Sequence, residues 1–344
     1  MKYSLIRDPE GAIQGKLDDF LSRTCQGNTF QSSDIFHFAR SYKKWRPLFF
    51  GVEDEKGRIC GVLLGIIQRE KTGILGIFTA RCIIIAGPVI DGDLGVQERQ
   101  KIAGHLLDQF VSQVKKSAIY IQVRNLFSQA DLASVFKNRK FQYLDHLNYI
   151  VDTTDRDMLE KKISQSKKRQ IRQSLRNGAR IIEPQRVEQV RDFYWILKDL
   201  YRKKVKKPLP GWDFFKEFYL QSRSGKLGKY FLIEYQHQVI GGIMCPMTLG
   251  KGIYEWYICG RDGEFKGIYP SVLATWAAID YALGNNLEFF DFLGAGAPDK
   301  DYGVREFKSK FGGDLVNHGR YQRINRPWLY ALGRLGVLFM EKLR

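Results

Sequence analysis

The same order of predicted elements occurs twice along the chain, and this repetition limits the folds open to it. In the first half, residues 48–52 and 59–68 have the pattern of a β-hairpin, and a strand, a helix and a further strand follow. In the second half, residues 230–235 and 239–247 have the same hairpin pattern, again followed by strand, helix (from Ser271) and strand. No residue-level repeat accompanies it. The sequence therefore predicts an α/β fold (α+β, with mixed sheets) in two domains of one architecture.

Length supports this division, because 344 residues exceed what one typical core holds. We expect a first domain at residues 1–152, a second domain with the catalytic motifs at residues 153–319, and a tail at residues 320–344 that packs back on the first domain. In the tail, Leu332, Leu335 and Phe339 share one helical face. Association of this face with a membrane surface is the alternative.

A net charge of +18 indicates an anionic partner: nucleic acid, a phosphorylated substrate or an acidic membrane surface. A scattered basic surface without a partner is the alternative. We predict one helix at residues 159–178, where like charges four residues apart weaken an isolated helix and so favour an anionic partner. Between residues 161 and 180 there is no acidic residue, and the basic ones are Lys161, Lys162, Lys167, Lys168, Arg169, Arg172, Arg176 and Arg180. A second basic run lies at residues 198–207.

Several classes of site find no support in the sequence. The five cysteines lack metal-ligand spacing, so we expect free thiols in a reducing cytoplasm and no metal. The five histidines are scattered, and neither a Ser/His/Asp triad nor a dinucleotide fingerprint is readable. No signal peptide and no run of about 18 uncharged apolar residues occurs. We expect a cytoplasmic protein, with peripheral contact to the acidic inner face of the membrane as an option.

A set of short motifs in a fixed order resembles the FemABX family, and the order of elements in each half resembles the GNAT acyltransferase fold. No single motif is specific, whereas their order and spacing span nearly the whole chain. Gln31-Ser32 and Gly87-Pro88 resemble landmarks of the family's first domain. The second-half motifs are residues 167–172 with Gly178, Trp256-Tyr257, Pro270-Ser271, Trp276, residues 291–294, and Gly303 through Phe307-Lys308 to Gly313.

The resemblance implies two tandem GNAT-like domains and an aminoacyltransferase. Such an enzyme moves an amino acid from aminoacyl-tRNA to the amino group of a peptidoglycan precursor, lipid-linked or nucleotide-linked. The attack of an amine on an ester carbonyl produces an oxyanion, which a fixed cation stabilises. By match to the family motif, Lys308 is the expected cation, with Phe307 beside it. A lysine that only caps the loop electrostatically is the alternative.

The resemblance also implies substrate contacts. Arg40 and Arg202 lie near positions where the family places basic contacts to the diphosphate of the precursor, and arginine binds phosphate bidentately. Tyr257 resembles a substrate-contacting aromatic residue, although core packing explains it equally well. The basic residues Lys167, Lys168 and Arg172 are the expected contacts to a polyanionic substrate.

Two further functions stay open. The first is an acyl-CoA-dependent N-acyltransferase acting on a sugar or a small amine. Against it, the loop at residues 264–270 contains one glycine, and Pro270 lacks an N–H for a diphosphate. We therefore expect no cofactor, with aminoacyl-tRNA as a co-substrate. Residues 184–230 contain no heptads, so no coiled-coil insertion is expected. The second is a non-catalytic basic protein that binds nucleic acid or a membrane surface.

Overall fold

The structure is a computed structural model that describes residues 3–70, 76, 78–299 and 303–333. Contacts divide the chain into two compact units, the first formed by residues 1–145 with 318–344 and the second by residues 146–317. Both units are mixed α/β, as the sequence predicts. Within the described ranges, no helix has the length and apolar character needed to cross a lipid bilayer.

The first unit is built on an eight-stranded mixed sheet, counted over the described residues, with the order β1-β2-β3-β4-β6-β16-β7 and β5 paired to β3. The predicted hairpin is formed by β2 and β3, and the parallel pair is β4 with β6. The strands are β1 (Ser4–Ile6), β2 (Trp45–Glu53), β3 (Ile59–Gln68), β4 (Arg81–Ile85), β5 (Val89–Ile90), β6 (Tyr120–Arg124), β7 (Gln142–Leu144) and β16 (Arg320–Ile324).

Helices cover this sheet because their apolar residues recur on one face. The long helix α3 (Val96–Val114) buries Ile102, Leu106 and Phe110 in the core of the first unit. The other helices are α1 (Ala12–Arg23), α2 (Ser33–Ser41) and α4 (Ala133–Asn138). Ser32 caps α2, since its Oγ accepts a hydrogen bond from the Ile35 N–H at 3.3 Å.

The second unit also contains an eight-stranded mixed sheet among the described residues, with the order β15-β8-β14-β12-β11-β10-β9 and β13 paired to β11. The predicted second hairpin is formed by β10 and β11. The strands are β8 (Leu147–Asp152), β9 (Arg180–Ile182), β10 (Gly228–Tyr235), β11 (Gln238–Thr248), β12 (Gly252–Tyr254), β13 (Tyr257–Gly260), β14 (Phe289–Asp291) and β15 (Asp314–Asn317).

Helix α9 (Pro270–Gly284) is the centre of the second core, because its apolar residues surround most of its circumference and nine of its residues are buried. The predicted single helix at residues 159–178 is wrong: the chain forms α5 (Arg156–Lys162) and α6 (Gln165–Arg176). Ile163 is extended, and Ser164 begins a new helix by accepting a hydrogen bond from the Lys167 N–H. The remaining helices are α7 (Val187–Leu200), α8 (Trp212–Ser222) and α10 (Gly303–Ser309).

The boundary between the units differs from the expected position at residue 152. The structure divides the chain after Asp145, because β8 pairs with β14 and β15 and so belongs to the second sheet. Conversely, the late strand β16 lies between β6 and β7 in the first sheet. In the tail, residues 327–333 are helical, with Leu329 buried and Leu332 exposed. The predicted face partners Leu335 and Phe339 lie outside the described residues.

Candidate active site

The second sheet divides at Glu255, between β12 and β13. β12 pairs in parallel with β14, and the Glu255 N–H extends this ladder by donating to the Asp291 carbonyl at 2.8 Å. Among the strands that the structure describes, β13 pairs with β11 alone. The edges of β13 and β14 therefore part at Glu255. Polar groups at such a point lose their ladder partners and need other ones.

Lys308 links the two strands where they part. Its Nζ donates to the carbonyls of Phe292 at 2.8 Å and Gly294 at 2.9 Å, which follow β14. It also lies 2.8 Å from Oε1 of Glu255, which follows β12. An ammonium group has three hydrogens, so the three contacts use its full donor capacity. The side chain is buried, with 7 % of the residue exposed. Donation to a reacting oxyanion thus requires that one of these acceptors be exchanged.

The turn that supplies the two carbonyls has an unusual backbone. Leu293 has φ 53°, a left-handed conformation that costs a branched residue free energy, and Gly294 follows with φ 135°. Two buried side chains hold this turn: Asp291 Oδ1 accepts from the Leu293 N–H at 2.6 Å, and Asn148 Oδ1 accepts from the Gly294 N–H at 2.7 Å. Backbone strain that several contacts fix is common at functional sites.

Burial also sets the electrostatics of this region. It raises the pKa of Asp291 to about 6, an effect that hydrogen bonds from Asn148 and the Leu293 N–H oppose. Burial likewise raises the pKa of Glu255, and the ammonium of Lys308 opposes this change. Oε2 of Glu255 is buried and has no hydrogen-bond partner among the described residues. One lysine and two carboxyl groups therefore meet in a region shielded from water.

Phe307, expected beside Lys308, contacts a different lysine. The Nζ of Lys167 lies 4.2 Å from the centre of the Phe307 ring and 5.4 Å from that of Phe311. Lys167 is buried, and its Nζ also donates to Gln170 at 3.2 Å. Burial, followed by the nearby charge of Lys310, lowers its pKa to about 8. Lys167 therefore packs into the second unit, while its expected role in substrate binding stays a prediction.

The other expected basic contacts lie on the outer face of α6. Arg172 is exposed, as are Arg169 and Arg176, and Lys168 is half-buried. In the described part of the chain, no carboxylate lies within ion-pair distance of any of these four. They form a stripe of uncompensated positive charge, which we call the α6 basic face.

Tyr257 and Arg202 lie in the same unit but in unlike surroundings. Tyr257 is half-buried among aromatic rings, with Phe214 and Phe215 at centroid distances of 5.8 and 5.1 Å. Tyr201 is 6.4 Å from it and opens a π-helical turn over Tyr201–Val205, which continues α7. Arg202 is exposed on this turn and pairs with Asp199 at 2.7 Å. Tyr257 therefore has a packing role whether or not it contacts a substrate.

Arg40 belongs to the first unit, whereas all the other predicted site residues belong to the second. It lies in the last turn of α2 and pairs with Glu10 at 2.6 Å. More than half of its side chain is exposed, so its guanidinium can exchange Glu10 for another anion.

The N-terminus of α9 carries its own acceptor. Asp262 accepts hydrogen bonds from both the N–H and the hydroxyl of Ser271, and the N–H distance is 3.2 Å. Pro270 has no N–H, and the Tyr269 N–H donates to Ser174 Oγ at 3.0 Å. The donors that a helix start offers to an anion are thus already used at these three positions.

The sequence did not single out Glu255, Asn148 or Asp262, and Asp291 entered only as part of the motif at residues 291–294. A signal for the first was available, because Glu255 is the one charged residue in the apolar run at residues 253–258. Asn148 is likewise polar within a buried strand. Such residues need partners when buried, but their partners are distant in sequence.

Comparison with known proteins agrees with this architecture. Residues 164–308 match the family model described as an acetyltransferase (GNAT) domain. No curated protein sequence matches the chain. In the described residues, no group of three or more His, Cys, Asp or Glu side chains could hold a metal ion.

Several solved structures match nearly the whole length of the chain. A crystal structure of FemX has 15% sequence identity and a TM-score of 0.72, and the match covers 96% of this chain and 99% of that one. L-PGS from Bacillus licheniformis has 14% identity and a TM-score of 0.57, covering 93% and 96%. A tandem GNAT protein from the clavulanic acid biosynthesis pathway has 11% identity and a TM-score of 0.59, covering 94% and 99%. The chain therefore has the FemABX-like fold of two tandem GNAT units, and its second unit carries an acyltransferase domain of the GNAT class.

Proposed function

We propose that the protein is an aminoacyltransferase that moves an amino acid from aminoacyl-tRNA to the amino group of a peptidoglycan precursor. A lipid-linked or nucleotide-linked muropeptide is the proposed acceptor, and a lipid-linked one implies work at the inner face of the membrane. The GNAT-class domain supports acyl transfer to an amine. The choice of donor rests on one observation, the position of Asp262 at the start of α9.

Asp262 disfavours CoA as the donor. A diphosphate binds a helix N-terminus through open backbone N–H groups and the positive end of the helix dipole. Here residues 269–271 have no open N–H, and the carboxylate of Asp262 lies where a diphosphate has to approach. Binding of CoA requires loss of this cap and the approach of two anions.

The α6 basic face supports a polyanionic substrate. Its four cations have no carboxylate partner in the described structure, so contact with phosphates does not first require an internal ion pair to break. Lys168, Arg172 and Arg176 do not stabilise helix α6 as a set, because like charges at i,i+4 repel each other along the helix. A nucleic-acid backbone compensates them and releases its counterions.

Lys308 is the proposed electrophilic group. The acceptor amine attacks the carbonyl carbon of the aminoacyl ester, the oxyanion of the tetrahedral intermediate forms, and the ester bond to the ribose oxygen breaks. The proton lost by the amine is balanced by the proton gained by that oxygen. An ammonium near the oxyanion lowers the barrier. Of the three acceptors of Lys308, the Glu255 side chain can rotate away, whereas the Phe292 and Gly294 carbonyls belong to a turn held by Asp291 and Asn148.

Arg40 and Arg202 are proposed as contacts to the diphosphate of the precursor. Each is exposed and each pairs with one carboxylate, Glu10 and Asp199 respectively. Exposed ion pairs are worth at most about 1 kcal/mol, so exchange for a diphosphate is inexpensive. Phe307 and Tyr257 are proposed to line the site through their rings, in addition to their packing.

The test is transfer of a radiolabelled amino acid from charged tRNA to the muropeptide acceptors. Each amino acid is supplied in turn, with lipid-linked and nucleotide-linked acceptors in parallel. We expect label in the acceptor with at least one amino acid, and loss of label when the tRNA is deacylated. Absence of transfer to every acceptor, from properly folded protein, contradicts the proposal.

A second candidate is an acyl-CoA-dependent N-acyltransferase, which the match to an acetyltransferase family model favours. Ligand binding to the folded state raises the melting temperature by an amount that grows with the ratio of ligand concentration to Kd, so the two donors can be compared at equal concentration. Stabilisation by CoA, together with none by aminoacyl-tRNA, selects this candidate. Because Asp262 occupies the start of α9, we expect stabilisation by aminoacyl-tRNA and none by CoA.

A further inference from the structure

Glu255 is a buried acid whose one ion-pair partner in the described structure is Lys308. The two side chains are 6 % and 8 % exposed, and they come from different elements, the end of β12 and the last turn of α10. The remaining oxygen, Oε2, has no partner among the described residues. Burial of a carboxylate with so little compensation costs folding free energy. Its presence therefore points to a role for the ion pair with Lys308.

We propose that Glu255 is the positioning residue of Lys308: in the resting protein its carboxylate holds the third N–H of the ammonium, and it supplies the counter-charge that keeps this group charged where β13 and β14 part. The consequence for catalysis rests on the proposed function. The pairing itself does not, and it can be tested without any substrate.

Among the described residues, Glu255 is the one carboxylate within ion-pair distance of Lys308. Asp291 of β14 is buried, its Oδ1 accepts from Asn148 and from the Leu293 N–H, and its charge acts on Lys308 without an ion-pair contact. Cys245 of β11 is a neutral thiol, because burial raises its pKa well above the ordinary value. The Phe292 and Gly294 carbonyls carry only partial charge.

The first experiment is a thermal-unfolding cycle with Lys308→Met, Glu255→Gln and the double variant. We expect Lys308→Met to lower the melting temperature strongly, because it leaves the carboxylate buried without a cation. The double variant should recover at least half of that loss. The matched control is Glu183→Gln with Lys229→Met, a partly exposed pair at the same 2.8 Å distance, which should show much weaker coupling. Additive effects of Lys308→Met and Glu255→Gln overturn the pairing.

A second measurement follows Lys308 itself. Brief treatment with an amine-acylating reagent, read by peptide mass spectrometry, should label Lys308 slowly in the wild type. In Glu255→Gln the labelling should be faster, because the ammonium is held less firmly. Equal labelling in the two proteins overturns the positioning role.

The third measurement is kinetic. Glu255→Gln should lower kcat by about tenfold or more and change KM by less than about threefold, since the carboxylate acts through Lys308 and not on the substrate. Because burial raises the pKa of Glu255, the wild-type rate should fall on the acid side at a pH above the ordinary range of glutamate. In Glu255→Gln this contribution should be lost, and only the titration of the neighbouring Asp291 should remain on the acid side. Glu255→Asp, which keeps the charge, should recover part of kcat. An unchanged kcat and pH profile overturn the catalytic part.

The outcomes separate this inference from the proposed function. If wild-type protein transfers no amino acid while the cycle is strongly coupled, the proposed function fails and the pairing holds. If transfer is found and the Glu255→Gln variant behaves as wild type in all three measurements, the proposed function holds and this inference fails.

Discussion

At the scale of single residues, burial and hydrogen bonding have opposite effects on the pKa of the buried acid Asp291. It is 1 % exposed, and its Oδ1 accepts from Asn148 at 2.8 Å and from the Leu293 N–H. These bonds favour the charged form, yet burial dominates and raises its pKa. The acid is retained because it holds the turn after β14, not because its charge stabilises the fold.

The first prediction is that Asp291→Asn changes how stability depends on pH. The pKa of Asp291 rises from 3.8 to about 6 on folding, so the folded state binds the proton more tightly. The wild type therefore loses stability from this group as the pH rises from about 4 to about 6, whereas the variant does not. Relative to wild type, the variant should gain roughly 3 kcal/mol in unfolding free energy between pH 4 and pH 7.

Denaturant unfolding of both proteins at several pH values measures this difference. Asp152→Asn is the control, because hydrogen bonds with Thr154 lower the pKa of Asp152 and the sign of its effect is opposite. A parallel pH dependence for Asp291→Asn and wild type contradicts the prediction.

The second prediction concerns Leu293, whose φ of 53° is left-handed. At most positions glycine is less stable than alanine, because it loses more backbone freedom on folding. At Leu293 the order should reverse, and Leu293→Gly should be more stable than Leu293→Ala by about 1 kcal/mol. Leu175, exposed on α6, is the control position where alanine should be better. Chemical denaturation of the four variants tests the reversal, and the usual order at Leu293 refutes it.

At the scale of elements, the break between α5 and α6 decides what the basic run can do. Helix α5 ends before the extended Ile163, and Ser164 begins α6, which leaves Lys167 inside the unit while Arg169, Arg172 and Arg176 are exposed. In one continuous helix over residues 159–178, the basic residues of α6 would point in different directions from those that the break at Ile163 gives them. The basic run is thus divided into one packed lysine and an exposed α6 basic face.

The third prediction is that the α6 basic face contributes the salt dependence of RNA binding. Arg169→Gln, Arg172→Gln and Arg176→Gln together should weaken tRNA binding and reduce the slope of log affinity against log salt by about 2, because each phosphate contact contributes roughly 0.7 to 0.9. Lys115, Lys116 and Lys137, exposed in the first unit, form the control triple with the same change in charge. Filter binding at several salt concentrations measures both. Equal slopes for the two triple variants exclude the α6 basic face as a contact surface for tRNA phosphates.

At the scale of the whole molecule, each sheet contains a strand that is distant in sequence from most of the others. β16 completes the first sheet between β6 and β7, and its Tyr321 stacks on Phe136 at 4.0 Å in the first core. β8 in turn lies between β14 and β15. The predicted second interval, residues 153–319, therefore lacks β8 of its own sheet, whereas β16 lies in the tail expected to pack on the first domain.

The fourth prediction is that deletion of residues 318–344 prevents cooperative folding of the first unit. The deletion separates β6 from β7 and removes Tyr321 from the core, which exposes apolar surface and two strand edges. The matched control ends after Gly333 and keeps β16 with all its pairings. Limited proteolysis should degrade residues 1–145 rapidly in the first protein only. A stable fragment from this region in both proteins contradicts the prediction.

Much of this protein was determined by local sequence. Both hairpins, the helix α3 and the cap at Ser32 follow from periodicity and from side chains that act on their nearest neighbours. The cluster around Lys308 does not, because Asn148, Glu255, Asp291 and Lys308 come from four separate elements. Their chemistry depends on burial, which no local pattern reports.

The sequence by itself therefore determined that the chain forms two mixed α/β units with a strongly basic character, since these properties arise from spacing and charge. Only the tertiary structure decided which sheet receives β8 and β16, that Lys167 is buried while Arg172 is exposed, and that Lys308 faces Glu255. The physical reason is that strand pairing and charge burial depend on contacts between residues far apart in the sequence. Hydrogen bonding and desolvation act only once those residues meet.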